Sequence, residues 1–70
     1  MKLSARNVLA AKVRSVTHGS VNSEVVLEVG AGVELVSIIT RSSAERLGLA
    51  PGKSVHAVVK ASSVMVATDD

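Results

Sequence analysis

The stretch Val55-His56-Ala57-Val58-Val59-Lys60-Ala61-Ser62-Ser63-Val64 is the longest strand signal in the chain. Val55, Ala57 and Val59 share one parity; His56, Val58 and Lys60 share the other. Apolar, mainly β-branched residues on both parities predict a strand that is buried on one face and partly covered on the second. The strand ends by delivering one cation, Lys60, beside the small residues Ala61, Ser62 and Ser63. An ammonium next to backbone N–H groups and hydroxyls is the material of an anion site. A lysine before serines at a strand end is more often a plain solvated turn, so this stretch alone decides nothing about function. A similar package lies at the other end of the chain, Ser4-Ala5-Arg6-Asn7. Folding or assembly is expected to bring the two together.

Working back from that strand, the chain reads as an all-β unit. From Val8 to Thr17, Leu9, Ala11 and Val13 face inward while Lys12 and Arg14 face outward. Val16 then falls on the outward parity, which calls for a bulge or a second covered face. Thr17-His18-Gly19-Ser20 is a turn, with Gly19 free to take a positive φ. Val21 to Val29 follows, with Val21, Ser23, Val25, Leu27 and Val29 on one face. A buried Ser23 must find a partner, because an unpaired buried hydroxyl costs about 1–3 kcal/mol. Gly30-Ala31-Gly32 is a hairpin connection to a strand from Val33 to Thr40, whose far end is apolar on both faces.

Arg41 to Gly48 reads as one short helix. Ser42 as N-cap with Glu45 three residues on fits a capping box, and Gly48 fits the first position beyond the C-terminus. Leu47 and Leu49 are expected to plug one end of a barrel. Ala50-Pro51-Gly52-Lys53 carries the type II turn signature. After the strand quoted above, Val64 to Ala67 are expected to close the sheet as a fifth strand. The order suggests a small five-stranded OB-like barrel with one short helix, assembling into an oligomer.

Composition narrows the function. Seventy residues make one domain at most. There is no Cys, hence no disulfide and no thiolate metal site, and there is no aromatic residue. Yet 47% of the chain is hydrophobic, a surplus that self-association would use. The net charge of +2 comes from eight basic and six acidic residues without a basic block. Nucleic-acid binding is therefore not expected, since it needs several phosphate contacts and, for single strands, stacking rings. No apolar run approaches the roughly 18 residues of a membrane span. Met1-Lys2-Leu3-Ser4 turns polar at once, unlike a signal peptide, so a cytoplasmic location is expected. No nucleophile is paired with a base, which argues against an enzyme.

Four segments together carry a resemblance. Ser4-Ala5-Arg6-Asn7, Gly19-Ser20-Val21-Asn22-Ser23-Glu24-Val25, Ser37-Ile38-Ile39-Thr40 and Val58-Val59-Lys60-Ala61-Ser62-Ser63-Val64-Met65 resemble the molbindins, small molybdate-binding proteins built from the Mop domain, a TOBE-like unit. The resemblance covers one Mop domain over residues 2–68. It implies an OB-like barrel, a hexamer described as a trimer of dimers, and intracellular storage and buffering of molybdate or tungstate without catalysis or another cofactor. It also implies two kinds of oxyanion site shared between subunits. One uses Ser4, Ala5 and Arg6 with Lys60, Ala61 and Ser62. The other, near a threefold axis, uses Gly19, Ser20, Val21 and Asn22. These groups suit a tetrahedral dianion that has no proton to give, because all of them are donors.

Other readings remain open at this point. Ser42 and Ser43 at a helix N-terminus form a rival anion site, weakened by the charge of Glu45. His18 is a turn residue that could support an oxyanion site, and His56 is expected to be partly buried in strand packing. A nucleic-acid-binding OB-type domain and a protein-adaptor or regulatory module are the alternative functions. A pterin-bound form of the metal is disfavoured by the lack of any ring to stack on it. Sequence cannot separate molybdate from tungstate, which have the same charge and nearly the same size.

Overall fold

The computed structural model describes all of residues 1–70. Four strands and one helix follow in the order β1 (Asn7–His18), β2 (Asn22–Gly30), β3 (Val33–Thr40), α1 (Arg41–Arg46) and β4 (Ser54–Val59), and a single 3-10 turn, Ala61–Ser63, comes last. The strands make one antiparallel sheet in the order β3-β2-β1-β4. The fold class is the expected one, all-β with a short helix, but with four strands in place of five.

Strand parity follows the hydrophobic alternation. Ala11, Val13, Val25, Leu27 and Ala57 form the buried cluster, with Val16, Leu35, Ile39, Leu49 and Val55 packed against it. Val16 reaches that cluster because the β1–β2 register shifts between Val13 and Ser15. One extra residue, Arg14, resets which face the later side chains take. Arg14 itself points outward and bridges Glu28 at 3.0 Å and Glu34 at 2.9 Å, two carboxylates that stand opposite each other across β2 and β3.

The turns are set by local chemistry. Gly52 has φ +91°, and the Lys53 N–H donates to the Ala50 carbonyl at 3.1 Å, as a type II turn requires. That turn docks on the bulge: Gly52 N–H donates to the Val13 carbonyl at 2.8 Å and Val13 N–H to the Lys53 carbonyl at 3.0 Å. Helix α1 ends in a Schellman motif. Gly48, at φ +64°, donates to the Glu45 carbonyl at 3.0 Å while Leu49 donates to the Ala44 carbonyl at 3.1 Å.

Four local expectations need correction. The N-cap of α1 is Thr40, whose Oγ1 accepts from the Ser43 N–H at 3.1 Å. The ladder of β3 runs to the helix without a gap, since Arg41 N–H still donates to the Val21 carbonyl at 2.8 Å. Ser42 is therefore already inside the first turn, and Glu45 pairs with Arg41 at 3.0 Å instead of closing a capping box. Gly19 does not have a positive φ. Its constraint is space, because a Cβ there would meet the Asn22 carbonyl oxygen at 2.8 Å. His56 is exposed on the open side of β4. Finally, Val64 to Ala67 form no strand. The 3-10 turn leads the chain off the end of β4, and the tail beyond it pairs with neither edge strand, β3 or β4.

One chain leaves its apolar surface unfinished. Only seven of the 70 residues are buried, and Leu47 is half exposed where a barrel plug was expected. Val36, Ile38, Met65 and Val66 are 64%, 60%, 92% and 89% exposed. The radius of gyration is 13.1 Å, against about 11 Å for a compact domain of this length.

Candidate functional site

The first candidate site is assembled by the β1–β4 ladder. Its outermost rung pairs Asn7 with Val59, so the residues that follow outward, Arg6 on one strand and Lys60 on the other, leave the sheet side by side. Antiparallel pairing alone thus brings Ser4, Ala5 and Arg6 to the same end as Lys60, Ala61 and Ser62. Arg6, Asn7, Val59 and Val64 line a common cleft there.

The local backbone is arranged to donate. Ala61–Ser63 form a 3-10 turn in which Ser63 N–H donates to the Lys60 carbonyl at 2.9 Å and Val64 N–H to the Ala61 carbonyl at 3.2 Å. The N–H groups of Ala61 and Ser62 precede the first bond of that turn and have no partner within it, as at the start of any helix. Lys60 stands at the cap position, and its side chain makes no capping bond. Neither Arg6 nor Lys60 is in an ion pair; all three salt bridges of the chain belong to Arg14 and Arg41. Residues carrying two unneutralised cations, two free N–H groups and the hydroxyls of Ser4 and Ser62 therefore follow from the same end of the sheet. With the exception of the half-buried Ala5, all six residues are exposed in the single chain.

The second candidate group lies at the other end of β1, roughly 35 Å away along the strand. Gly19 N–H donates to the Asn22 carbonyl at 2.7 Å and closes a tight turn with Ser20 and Val21 at its tip. Beneath it, His18 Nδ1 and the buried Ser23 hydroxyl share a hydrogen bond of 2.6 Å. That bond supplies the partner Ser23 requires and gives His18 a structural position directly under the turn. One neighbour went unnoticed in the sequence. Arg41 donates from its backbone to Val21, and its Nη1 lies 3.5 Å from the Gly19 carbonyl oxygen. The signal was available in the hairpin register: Asn22 pairs with Thr40, which sets Arg41 opposite Val21.

The rival site at Ser42 and Ser43 is not made, because Thr40 already takes the Ser43 N–H. No group of three or more His, Asp or Glu side chains is placed to hold a metal ion.

Comparison with known proteins decides the family. Residues 3–66 match the TOBE domain model. The chain belongs to the TOBE domain family, among the molbindins. It is 44% identical over 69 residues to the probable molybdenum-pterin-binding protein of Haemophilus influenzae, covering 99% of this molbindin and 100% of that protein. The solved molybdate-binding protein from Sporomusa ovata superposes with a TM-score of 0.90 at 41% identity, over 97% of this chain and 100% of that one. A molybdate-bound crystal form of the cytoplasmic molybdate-binding protein ModG gives a TM-score of 0.82 at 44% identity. Here the molbindin covers 43% of the longer ModG chain, with 87% of its own length matched. The OB-like fold expected from the strand order is the one these structures share.

Proposed function

We propose that this molbindin binds molybdate or tungstate and stores and buffers it in the cytoplasm, with residues 2–68 as the binding unit and no reaction catalysed. The observation that carries the reading is the Asn7–Val59 rung, beyond which Arg6 and Lys60 leave the same end of the sheet with no carboxylate paired to either. A dianion without protons needs donors and is repelled by acceptors; Ser4, Ala5, Arg6, Lys60, Ala61 and Ser62 offer donors from both strands. Gly19, Ser20, Val21 and Asn22 make the second kind of site on the same principle. The similarity to molybdate-binding structures from Sporomusa ovata and to molybdate-bound ModG supports the ligand.

The sites are completed by further copies of the chain, in a hexamer built as a trimer of dimers. Surface area supports assembly. The single chain exposes 5442 Å², where a folded monomer of 7.2 kDa is expected to expose about 4100 Å². The excess, about 1300 Å², is larger than the roughly 800 Å² that each partner contributes to a standard interface. Burying an oxyanion between subunits also removes water from its hydrogen bonds and strengthens them.

The names of relatives such as the Haemophilus influenzae protein favour a second reading, in which the metal arrives bound to a pterin. Against it, the chain has no aromatic ring on which a pterin could stack. One experiment separates the possibilities: equilibrium dialysis against molybdate with bound molybdenum counted by elemental mass spectrometry, repeated in excess sulfate and in phosphate. Near-stoichiometric molybdenum that survives both anions is the expected result. Sulfate has shorter bonds to oxygen than rigid donors can follow, and protonated phosphate leaves its proton without an acceptor. Displacement by comparable sulfate would reduce the site to surface charge, which reads little beyond Coulomb attraction. Protein purified from cells with pterin absorbance matching its molybdenum content would favour the second reading.

A further inference from the structure

We propose that Arg41 is the positioning residue of the Gly19–Asn22 turn, a role that rests on reading that turn as the second oxyanion site. The turn must present donors, yet each of its peptide groups also carries an acceptor. The structure occupies three of the four acceptors, those of Gly19, Val21 and Asn22. Asn22 carbonyl takes the Gly19 N–H at 2.7 Å, and Val21 carbonyl takes the Arg41 backbone N–H at 2.8 Å. Gly19 carbonyl faces the Arg41 guanidinium, with Nη1 at 3.5 Å. No peptide in the chain is cis, and in a trans peptide the N–H points opposite to the C=O. Drawing the Gly19 and Val21 carbonyls toward Arg41 therefore turns the N–H groups of Ser20 and Asn22 the other way.

Of the N–H groups so turned, that of Ser20 makes no hydrogen bond within the chain and is free for a ligand; the Val21 N–H is also unbonded, without being set by Arg41. The guanidinium can hold this position because its Nε is fixed by Glu45 at 3.0 Å and its five N–H groups form a rigid fork. Arg41 thus acts through the backbone: it leaves the site with donors and keeps the Gly19 acceptor off the ligand side. A turn with that carbonyl released would present an acceptor to the anion, which repels a bare dianion and tolerates a protonated one.

The test uses the full chain in a Lys60→Ala background, which removes the first kind of site and leaves the turn sites to be titrated with molybdate by calorimetry and dialysis. Arg41→Ala is expected to weaken the remaining sites by about tenfold, the weight of one hydrogen bond to a charged group. It should also narrow their preference for molybdate over phosphate. Glu45→Gln removes the charge of that pair but keeps a side-chain oxygen that accepts from the Arg41 Nε, so the guanidinium stays on Gly19 and both affinity and preference should be nearly unchanged. Equal losses in the two variants, or no loss in Arg41→Ala, would overturn the positioning role while leaving the turn as a site. If Lys60→Ala alone abolishes all molybdate binding, the turn is not a site and the proposal falls with it.

Discussion

His18 Nδ1 and Ser23 Oγ lie 2.6 Å apart across the first hairpin, and Ser23 is only 1% exposed. A serine on the buried face of β2 is tolerated because the opposing residue in the ladder is a histidine. Removing His18 alone strands the hydroxyl, whereas removing both groups does not. His18→Ala should destabilise the protein by about 1–3 kcal/mol, and His18→Ala with Ser23→Ala should recover much of that loss. Urea denaturation at one fixed protein concentration measures both; equal losses in the single and double variants would count against the pair.

Lys60→Ala should weaken molybdate binding at the first kind of site by on the order of 2–5 kcal/mol, the cost of removing one partner of a buried, hydrogen-bonded charge. The side chain is exposed and makes no bond within the chain, so the denaturation midpoint of the ligand-free protein should not move. Calorimetric titration that finds unchanged affinity at every site would make Lys60 an ordinary solvated residue.

Ile38 is 60% exposed on the outer face of β3 and stands opposite Glu24 in the ladder. Ile38→Lys keeps the fold of the single chain, because the new ammonium meets a carboxylate across the strands. It places a charge where an assembled protein buries an apolar side chain. Sedimentation equilibrium of the native chain should give a mass several times 7.2 kDa, with six chains expected, and Ile38→Lys should lower it at the same concentration. A native chain that sediments as a stable monomer would remove the shared sites altogether.

Gly48→Ala tests the end of α1. The position has φ +64°, and an added Cβ would lie 3.3 Å from the Lys53 Nζ, a flexible side-chain end that donates to the Leu47 carbonyl at 2.5 Å and can shift by a few tenths of an ångström. The cost is therefore backbone strain, about 1–2 kcal/mol, with molybdate affinity unchanged because α1 still starts at the same place. A thermal midpoint equal to that of the native chain would show that the helix end relaxes out of the left-handed region.

Much of the fold was legible because it is local. The alternation of Val25 and Leu27 with Glu24 and Glu28 marks a buried face without reference to any partner. Gly48 and Gly52 announce positive φ at turns where other residues are strained, and the misplaced parity of Val16 announces the bulge at Arg14. The cap of α1 was less legible. Thr40 and Ser42 are both good cap residues, and the choice falls to Thr40 only because the β3 ladder carries Arg41 up to the helix. The tail from Val64 to Ala67 reads as a strand by composition. Whether it pairs depends on the path it takes after β4, and the 3-10 turn at Ala61–Ser63 carries it away without a ladder.

The sequence by itself determined the four paired strands, the turns at Gly48 and Gly52 and the chemical type of the candidate site: small donors with Arg6 and Lys60, and no carboxylate among them. These follow from side-chain volume, β-branching and charge, which each residue carries wherever it is placed. Tertiary structure alone decided which residues meet. Arg6 and Lys60 leave the same end of the sheet because the β1–β4 register ends at Asn7 and Val59, and Arg41 reaches Gly19 because the β2–β3 register ends at Asn22 and Thr40. Both registers are sums over turns and bulges far from the site, so a one-residue shift in either would scatter the donors without changing any of them.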